Sequence, residues 1–111
     1  EFSNRGKQPA LPEQEEFSNF IIEFHAIGMT FPLPYGRVTI GKNKDNAIIL
    51  GDATVSRHHG AITVTRDKLL IEDLKSTNGI FVNKVRISQP THLKPGDKVL
   101  FGKTEAVIRR K

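Results

Sequence analysis

Two short polar segments about twenty residues apart carry the side chains best suited to chemistry in this 111-residue chain. They are Val55-Ser56-Arg57-His58-His59 and Ser76-Thr77-Asn78-Gly79. Ser56 and Thr77 supply compact hydroxyl groups, and Asn78 can both donate and accept hydrogen bonds. Arg57 offers a planar, permanently charged guanidinium whose geometry suits phosphate. The two segments therefore predict a pair of loops that converge on an oxyanion outside the chain.

Both segments lie between apolar runs that alternate with polar residues, as half-buried strands do. Residues 60–65 and 68–74 read as one hairpin, and residues 80–82 and 85–87 as a second. Two prolines in residues 31–34 predict an extended segment outside a sheet interior. No stretch beyond residue 18 sustains a helical period for ten residues. Short strands at regular turn spacing predict an all-β, two-sheet β-sandwich of about ten or eleven strands.

The loops that follow Ile40, Leu50 and Leu74 are predicted to lie at the same end of this sandwich. Loops held by packed sheets are common sites of binding residues. This placement would bring the two polar segments together with the loop that begins at residue 41.

The domain organisation follows from a change in composition near residue 18. Residues 1–18 are polar and contain Pro9 and Pro12, which predicts a flexible leader or linker; residues 19–111 form the predicted domain. Residues 1–19 hold two basic and four acidic residues, whereas residues 20–111 hold 15 basic and eight acidic ones. A basic domain favours anionic partners. Its basic residues are scattered singly, however, so nucleic acid is an unlikely partner.

Several other classes of function find no support in the sequence. The absence of cysteine excludes disulfides and thiolate chemistry, and no apolar run approaches the length of about 20 residues that spans a membrane. With no signal-peptide pattern, we expect an intracellular protein. His58 and His59, as neighbours on a strand, would point to opposite faces, and Ser56 lacks a nucleophile-elbow context. We therefore predict no enzyme activity, no metal and no cofactor.

From about Phe20 to Ile108 the chain resembles the forkhead-associated (FHA) domain family of phosphothreonine-binding β-sandwiches. The resemblance depends on several motifs in order, because any one alone would be weak. These are Ile40-Gly41-Lys42, Asp45 with Ile48-Ile49-Leu50, Val55 to His59, Asp73-Leu74, Ser76 to Gly79, Val82-Asn83, and Leu93 through Gly96-Asp97 to Phe101-Gly102.

The resemblance implies a role for each residue of the two polar segments. Ser56 and Thr77 would hydrogen-bond the phosphate, and Arg57 would contact the phosphate or the peptide backbone beside it. Asn78 would hold the peptide main chain without reading its sequence. His59 would support the loop from inside.

The same resemblance implies that Gly41 and Gly79 serve backbone geometry, and it exposes two departures. The family usually has arginine where this chain has Lys42, which keeps a charge but loses the bidentate fork. Lys84 stands where the family often has glycine and would add positive potential nearby.

The expected partner is a phosphothreonine-containing protein or peptide, bound by a monomer or by one part of a larger multidomain protein. The loop at residues 51–54 contains no basic residue, so it does not predict a preference for acidic ligands. The alternative is a phosphate-independent scaffold or a nucleic-acid-binding β-domain. Dependence on phosphorylation separates the two readings.

Overall fold

The computed structural model describes residues 17–111, which form eleven strands in two packed sheets. The strands are β1 (Phe17–Phe24), β2 (Met29–Pro34), β3 (Gly36–Gly41), β4 (Ile48–Ile49), β5 (Gly60–Val64), β6 (Leu69–Asp73), β7 (Ile80–Val82), β8 (Val85–Arg86), β9 (Thr91–Leu93), β10 (Lys98–Phe101) and β11 (Thr104–Arg110). A 3-10 turn, His25–Ile27, joins β1 to β2. Within this part of the chain no helix is long and apolar enough to cross a membrane.

One sheet has the order β2-β1-β11-β10-β7-β8 and the other β4-β3-β5-β6-β9. The pairings are antiparallel except for the parallel pair β3 and β4. Apolar residues on the inner faces form one core between the sheets, with Phe24 and Phe101 at ring centroids 6.3 Å apart. The predicted all-β sandwich is thus confirmed.

Strand alternation explains why these segments form the two inner faces. β1 alternates exposed and buried side chains along most of its length, so that Phe20, Ile22 and Phe24 all enter the core. β5 lies in the middle of its sheet and is buried almost throughout, with Ile62 opposite Ile71 of β6. This pairing confirms the first predicted hairpin.

The second predicted hairpin is also present, with Phe81 of β7 opposite Arg86 of β8. Its two turn residues, Asn83 and Lys84, both have positive φ, at 50° and 74°. A two-residue loop of this kind matches the right-handed twist of the strands it joins.

Three edge strands, β4, β9 and β2, match the strands predicted from the sequence to different degrees. β4 is shorter than the predicted residues 47–50, because the Ala47 N–H bonds the Thr39 side chain instead of extending the ladder. β9, which the sequence analysis missed, is short and follows a proline; it is positioned by its pairing with β6. The proline-containing segment lies in β2 at a sheet edge, as expected.

Most of the predicted leader, residues 1–16, lies outside the described residues. Its last two residues, however, belong to β1, so the boundary predicted at residue 19 is too late. Ser18 is buried: its hydroxyl donates to the Leu33 carbonyl at 2.8 Å and accepts from the Phe20 N–H at 3.1 Å. A satisfied buried serine looks polar in sequence, which is why composition misplaced the start of the fold.

The core makes a direct prediction about stability. Ile62→Ala, at a fully buried site of the central strand β5, should lower the free energy of unfolding by about 2–5 kcal/mol, because it removes apolar contacts and leaves a cavity. Ile49→Ala on the edge strand β4, where the side chain is 46% exposed, should cost less than about 1 kcal/mol. Urea unfolding measures both; equal losses would contradict the described sandwich.

Candidate functional site

Three loops meet at one end of the sandwich: residues 42–47, residues 50–59 and residues 74–79. The first two are joined where the Lys42 N–H donates to the Ser56 carbonyl at 3.0 Å and the Asn43 N–H to the Arg57 carbonyl at 3.1 Å. The Leu74 N–H donates to the His59 carbonyl at 3.0 Å and so joins the third loop. The predicted convergence of these loops is confirmed. These backbone bonds join the three loops without using the side chains of Lys42 and Arg57.

The buried imidazole of His59 links two of these loops from inside. Its Nδ1 accepts from the Ser56 N–H at 3.0 Å, and its Nε2 donates to the Gly79 carbonyl at 2.7 Å. Since a backbone N–H only donates and a carbonyl only accepts, these partners require the neutral tautomer with its proton on Nε2. The ring also packs edge-on against Phe101, with centroids 5.9 Å apart. His59 therefore sets the spacing between the two polar segments.

His58 and His59 were predicted to point to opposite faces of a strand, but they do not lie on a strand. Both lie in the turn that precedes β5. His58 is exposed and its Nε2 lies 3.0 and 3.1 Å from the two carboxylate oxygens of Asp45. This contact lowers the pKa of the Asp45 carboxyl below its usual range, chiefly through the hydrogen bond from His58.

The two predicted hydroxyl residues lie side by side. The Thr77 N–H donates to the Ser56 hydroxyl oxygen at 3.0 Å, which leaves the hydroxyl proton of Ser56 free to donate elsewhere. Ser76 shapes the loop behind them: its N–H donates to Asp73 Oδ1 at 2.8 Å, and its hydroxyl accepts from the Gly79 N–H at 2.9 Å. The hydroxyls of Ser56 and Thr77 are thereby placed at the mouth of one depression.

That depression, called here the loop groove, is an open cavity of about 480 Å³. Its wall contains Lys42, Val55, Ser56, Arg57, His58, Leu74, Lys75 and Thr77. Four of the predicted contact residues thus meet in one groove. The side chains of Lys42, Arg57 and Lys75 make no hydrogen bond or ion pair to any residue in 17–111. Three cations that have no partner among residues 17–111, placed around two hydroxyls, suit a small anion with several oxygens.

Asn78 is placed differently from the other predicted contact residues. It is exposed beside the groove and not in its wall, and its Nδ2 donates to the Thr54 carbonyl at 2.7 Å. Thr54 is itself held, since its hydroxyl accepts from the Lys103 N–H at 2.8 Å. Asn78 therefore joins the loop at residues 74–79 to the loop at residues 50–59.

The two glycines named from the sequence occupy positions that disfavour a side chain: the Arg57 backbone blocks it at Gly41, and the left-handed backbone strains it at Gly79. A Cβ at Gly41 would lie 2.2 Å from the Arg57 carbonyl oxygen. Gly79 has φ +83°, and a Cβ there would lie 2.7 Å from Arg86 Nε. Lys84 lies in the turn between β7 and β8, outside the wall of the groove.

Two residues that sequence reasoning missed belong to the site. Asn46 is buried, and its Nδ2 donates at 2.8 Å to both the Asn43 and the Arg57 carbonyls, which fastens the loop at residues 42–47 beneath the groove. An asparagine at the end of a polar loop, just before an apolar strand, was the available signal. Lys75 enters the wall because its backbone adopts φ +61°, a conformation that the sequence does not reveal for lysine.

Comparison with known proteins agrees with this geometry. The FHA domain model matches residues 38–102. The transcriptional regulatory protein EmbR of Mycobacterium tuberculosis is 40% identical over 74 residues, which are 67% of this chain and 19% of EmbR. The chain therefore corresponds to about a fifth of that relative's length.

Solved structures are similar over most of the chain. The structure of Mycobacterium tuberculosis EmbR in complex with a low affinity phosphopeptide has a TM-score of 0.78 at 34% identity, covering 83% of this chain and 24% of that one. The structure of the FhaA FHA domain complexed with the intracellular domain of Rv3910 has a TM-score of 0.77 at 33% identity, covering 81% of this chain and 99% of that one.

The close approach at Gly41 predicts a local and severe effect. Gly41→Ala should lower the free energy of unfolding by about 1–3 kcal/mol, because the new methyl group must displace the Arg57 carbonyl. Gly51→Ala is the matched control, since a Cβ there meets nothing within 4 Å and should be neutral or slightly stabilising. Chemical denaturation gives the energies, and amide spectra locate the change. A Gly41→Ala protein as stable as the control would refute the assigned packing.

The contact between His58 and Asp45 predicts a measurable titration. In the folded protein Asp45 should titrate below 3.8, so its contribution to stability is present above that pH and is lost as pH falls through the lowered pKa. His58→Ala should return the pKa of Asp45 toward 3.8. Asp52 serves as control, because its pKa is lowered by the Thr54 N–H and the Thr104 hydroxyl and should stay low in that variant. Carboxyl NMR titration reads both groups; a low Asp45 pKa that persists in His58→Ala would contradict this account.

Proposed function

Because this chain belongs to the FHA domain family, we propose that it is a phosphothreonine-dependent protein-interaction module that binds a phosphorylated peptide in the loop groove. The observation that carries the proposal is the meeting of Lys42, Ser56, Arg57 and Thr77 in one open groove at the loop end of the sandwich. Its function is recognition of another protein, with no chemical step of its own.

The chemistry of the groove matches that of a phosphorylated side chain. A phosphothreonine carries about −1.5 to −2 charges and three acceptor oxygens near neutral pH. The hydroxyls of Ser56 and Thr77 donate to these oxygens, and Arg57 adds charge-assisted hydrogen bonds. Lys42 contributes a point charge where an arginine would contribute a planar fork, so more of the directional bonding falls to Arg57.

The remaining predicted residues support this site in our proposal. Asn78, exposed beside the groove, holds the peptide main chain while its Nδ2 also holds Thr54. His59, Gly41 and Gly79 keep the loops at the spacing that the phosphate requires.

The partner in this proposal is a phosphothreonine-containing protein. The complexes of EmbR with a phosphopeptide and of the FhaA FHA domain with an intracellular domain support both a phosphoprotein partner and an intracellular location. We propose that the domain acts as a monomer, alone or as one part of a longer protein; EmbR is about five times longer than the segment it shares with this chain.

Peptide binding tests the proposal directly. We expect a degenerate phosphothreonine peptide pool to bind, and phosphoserine and unphosphorylated pools to bind weakly or not at all, as measured by fluorescence anisotropy. Arg57→Ala should weaken phosphothreonine binding roughly tenfold to over a hundredfold, because it removes a charged hydrogen-bond donor worth about 1.5–3 kcal/mol.

Arg66→Ala is the matched control, since it removes the same charge from the turn between β5 and β6, at the far end of the strands that leave the groove. It should leave phosphothreonine binding unchanged. Equal binding to all three pools would refute the proposal. Binding to nucleic acid that weakens steeply with salt would favour the alternative reading of a nucleic-acid-binding domain.

A further inference from the structure

A second cavity, called here the side pocket, opens next to the loop groove and has a volume of about 360 Å³. It lies where β6 faces the β8 end of the other sheet. Its wall contains Glu72, Asp73, Lys75, Arg86, Ile87, Ser88, Gln89 and Pro90. Lys75 belongs to the walls of both cavities, which makes the side pocket a continuation of the groove.

The charged groups in the side pocket are unequally engaged. Glu72 is paired with Arg37 at 2.6 Å, and Asp73 Oδ1 accepts the Ser76 N–H at 2.8 Å. The side chains of Lys75 and Arg86, in contrast, form no ion pair or hydrogen bond within the described range 17–111. The groups left to interact with a ligand are therefore mainly cationic.

Arg86 lies close enough to Thr77 for one extended peptide to contact both residues. The guanidinium rests over Gly79, where an added Cβ would come within 2.9 Å of Cζ. Gly79 is two residues beyond Thr77, so their Cα atoms are at most about 7 Å apart. Side chains two residues apart in an extended peptide have a similar spacing of about 6.6 Å. An arginine fork at this point can bind carboxylate or phosphate oxygens in bidentate fashion.

The backbone of Lys75 supports a role for its charge. With φ +61° it occupies the left-handed region, which is unfavourable for lysine and natural for glycine or asparagine. Backbone strain of this kind concentrates at ligand sites, where the surrounding structure maintains it. The loop is fixed on both sides by the hydrogen bonds of Ser76, and the lysine side chain is placed between the two cavities.

We propose that the side pocket binds a second anionic group of the phosphothreonine ligand, a carboxylate or a further phosphate, through Lys75 and Arg86. This inference rests on the proposed function and names the class of ligand that the site prefers. It also places acid recognition at residues 75 and 86 and not in the loop at residues 51–54, which contains no basic residue.

The test uses two families of phosphothreonine peptides with alanine at the flanking positions. In one family a single aspartate, and in the other a single phosphoserine, is moved through each position from four residues before the phosphothreonine to four after it. Each peptide is titrated into the protein of residues 1–111, and its affinity is divided by that of the all-alanine phosphothreonine peptide. We expect a preference of roughly tenfold or more at one or two neighbouring positions. The family with the larger ratio identifies the source of the anion.

Three variants assign the preference to the side pocket. In Arg86→Ala and in Lys75→Gly, the affinity of the preferred peptide should fall close to that of the all-alanine phosphothreonine peptide, so that their ratio approaches one. Lys84→Gly is the control for Lys75→Gly: it removes the same charge at another lysine of positive φ, 74°, outside both cavities, and should keep the full ratio. Lys75→Gly should also keep or raise the denaturation midpoint, since glycine fits the left-handed backbone. Loss of preference without loss of stability separates ligand contact from a structural role.

The outcomes distinguish this inference from the proposed function. Phosphothreonine binding with ratios near one at every position would overturn the side-pocket inference alone. A clear preference that survives in both Arg86→Ala and Lys75→Gly would also overturn it. A protein that binds none of the phosphothreonine peptides would overturn both proposals.

Discussion

The two hydrogen bonds of the buried His59 imidazole are the interaction on which the rest of the site depends. The ring Nδ1 accepts from the Ser56 N–H, and the ring Nε2 donates to the Gly79 carbonyl. A single ring therefore fixes the distance between two loops that are about twenty residues apart in sequence. The ring lies against Phe101 of the core, where it cannot exchange these partners for water. Unmet hydrogen bonds at such a position are costly, which makes this arrangement of the loops strongly preferred.

The hydrogen bonds that hold the loops together do not involve the charged side chains that line the loop groove. Backbone amides and carbonyls, together with the side chains of Asn46 and Asn78, hold the loops to one another. The charged ends of Lys42, Arg57 and Lys75 take no part in this framework within the described residues. A site organised in this way needs little rearrangement when an anion binds, so less of the interaction energy is spent on ordering the protein.

The sandwich supplies the rigidity that such a site needs. β3, β5, β6 and β7 all meet the loops at one end, and each contributes buried side chains to the core between the sheets. Pairing of Ile40 with Gly60, and of Gly60 with Asp73, carries the register across three strands directly below the groove. A shift of one residue in any of these pairs would turn the core face of that strand outward, so packing of the core also positions the loops.

The amino-acid sequence by itself determined the fold class and which loops meet at the candidate site. The apolar runs at residues 60–65 and 68–74 identified the central hairpin, and the prolines at residues 32 and 34 indicated an extended segment outside a sheet interior. Ser56-Arg57 and Thr77-Asn78 each lie between apolar runs that predict strands. The order of these strands predicted that the two loops lie at the same end of the sandwich. These features are local or periodic, and local patterns survive in a single sequence.

Only the tertiary structure decided which side chains share a surface. Burial of Ser18 depends on a carbonyl fifteen residues away, and β9 exists because β6 offers it a pairing edge. The entry of Lys75 into the groove depends on a left-handed backbone stabilised by neighbouring hydrogen bonds, and the position of Arg86 depends on the absence of a side chain at Gly79. Each of these results from contacts between distant parts of the chain, and the energy of such contacts leaves no periodic trace in the sequence.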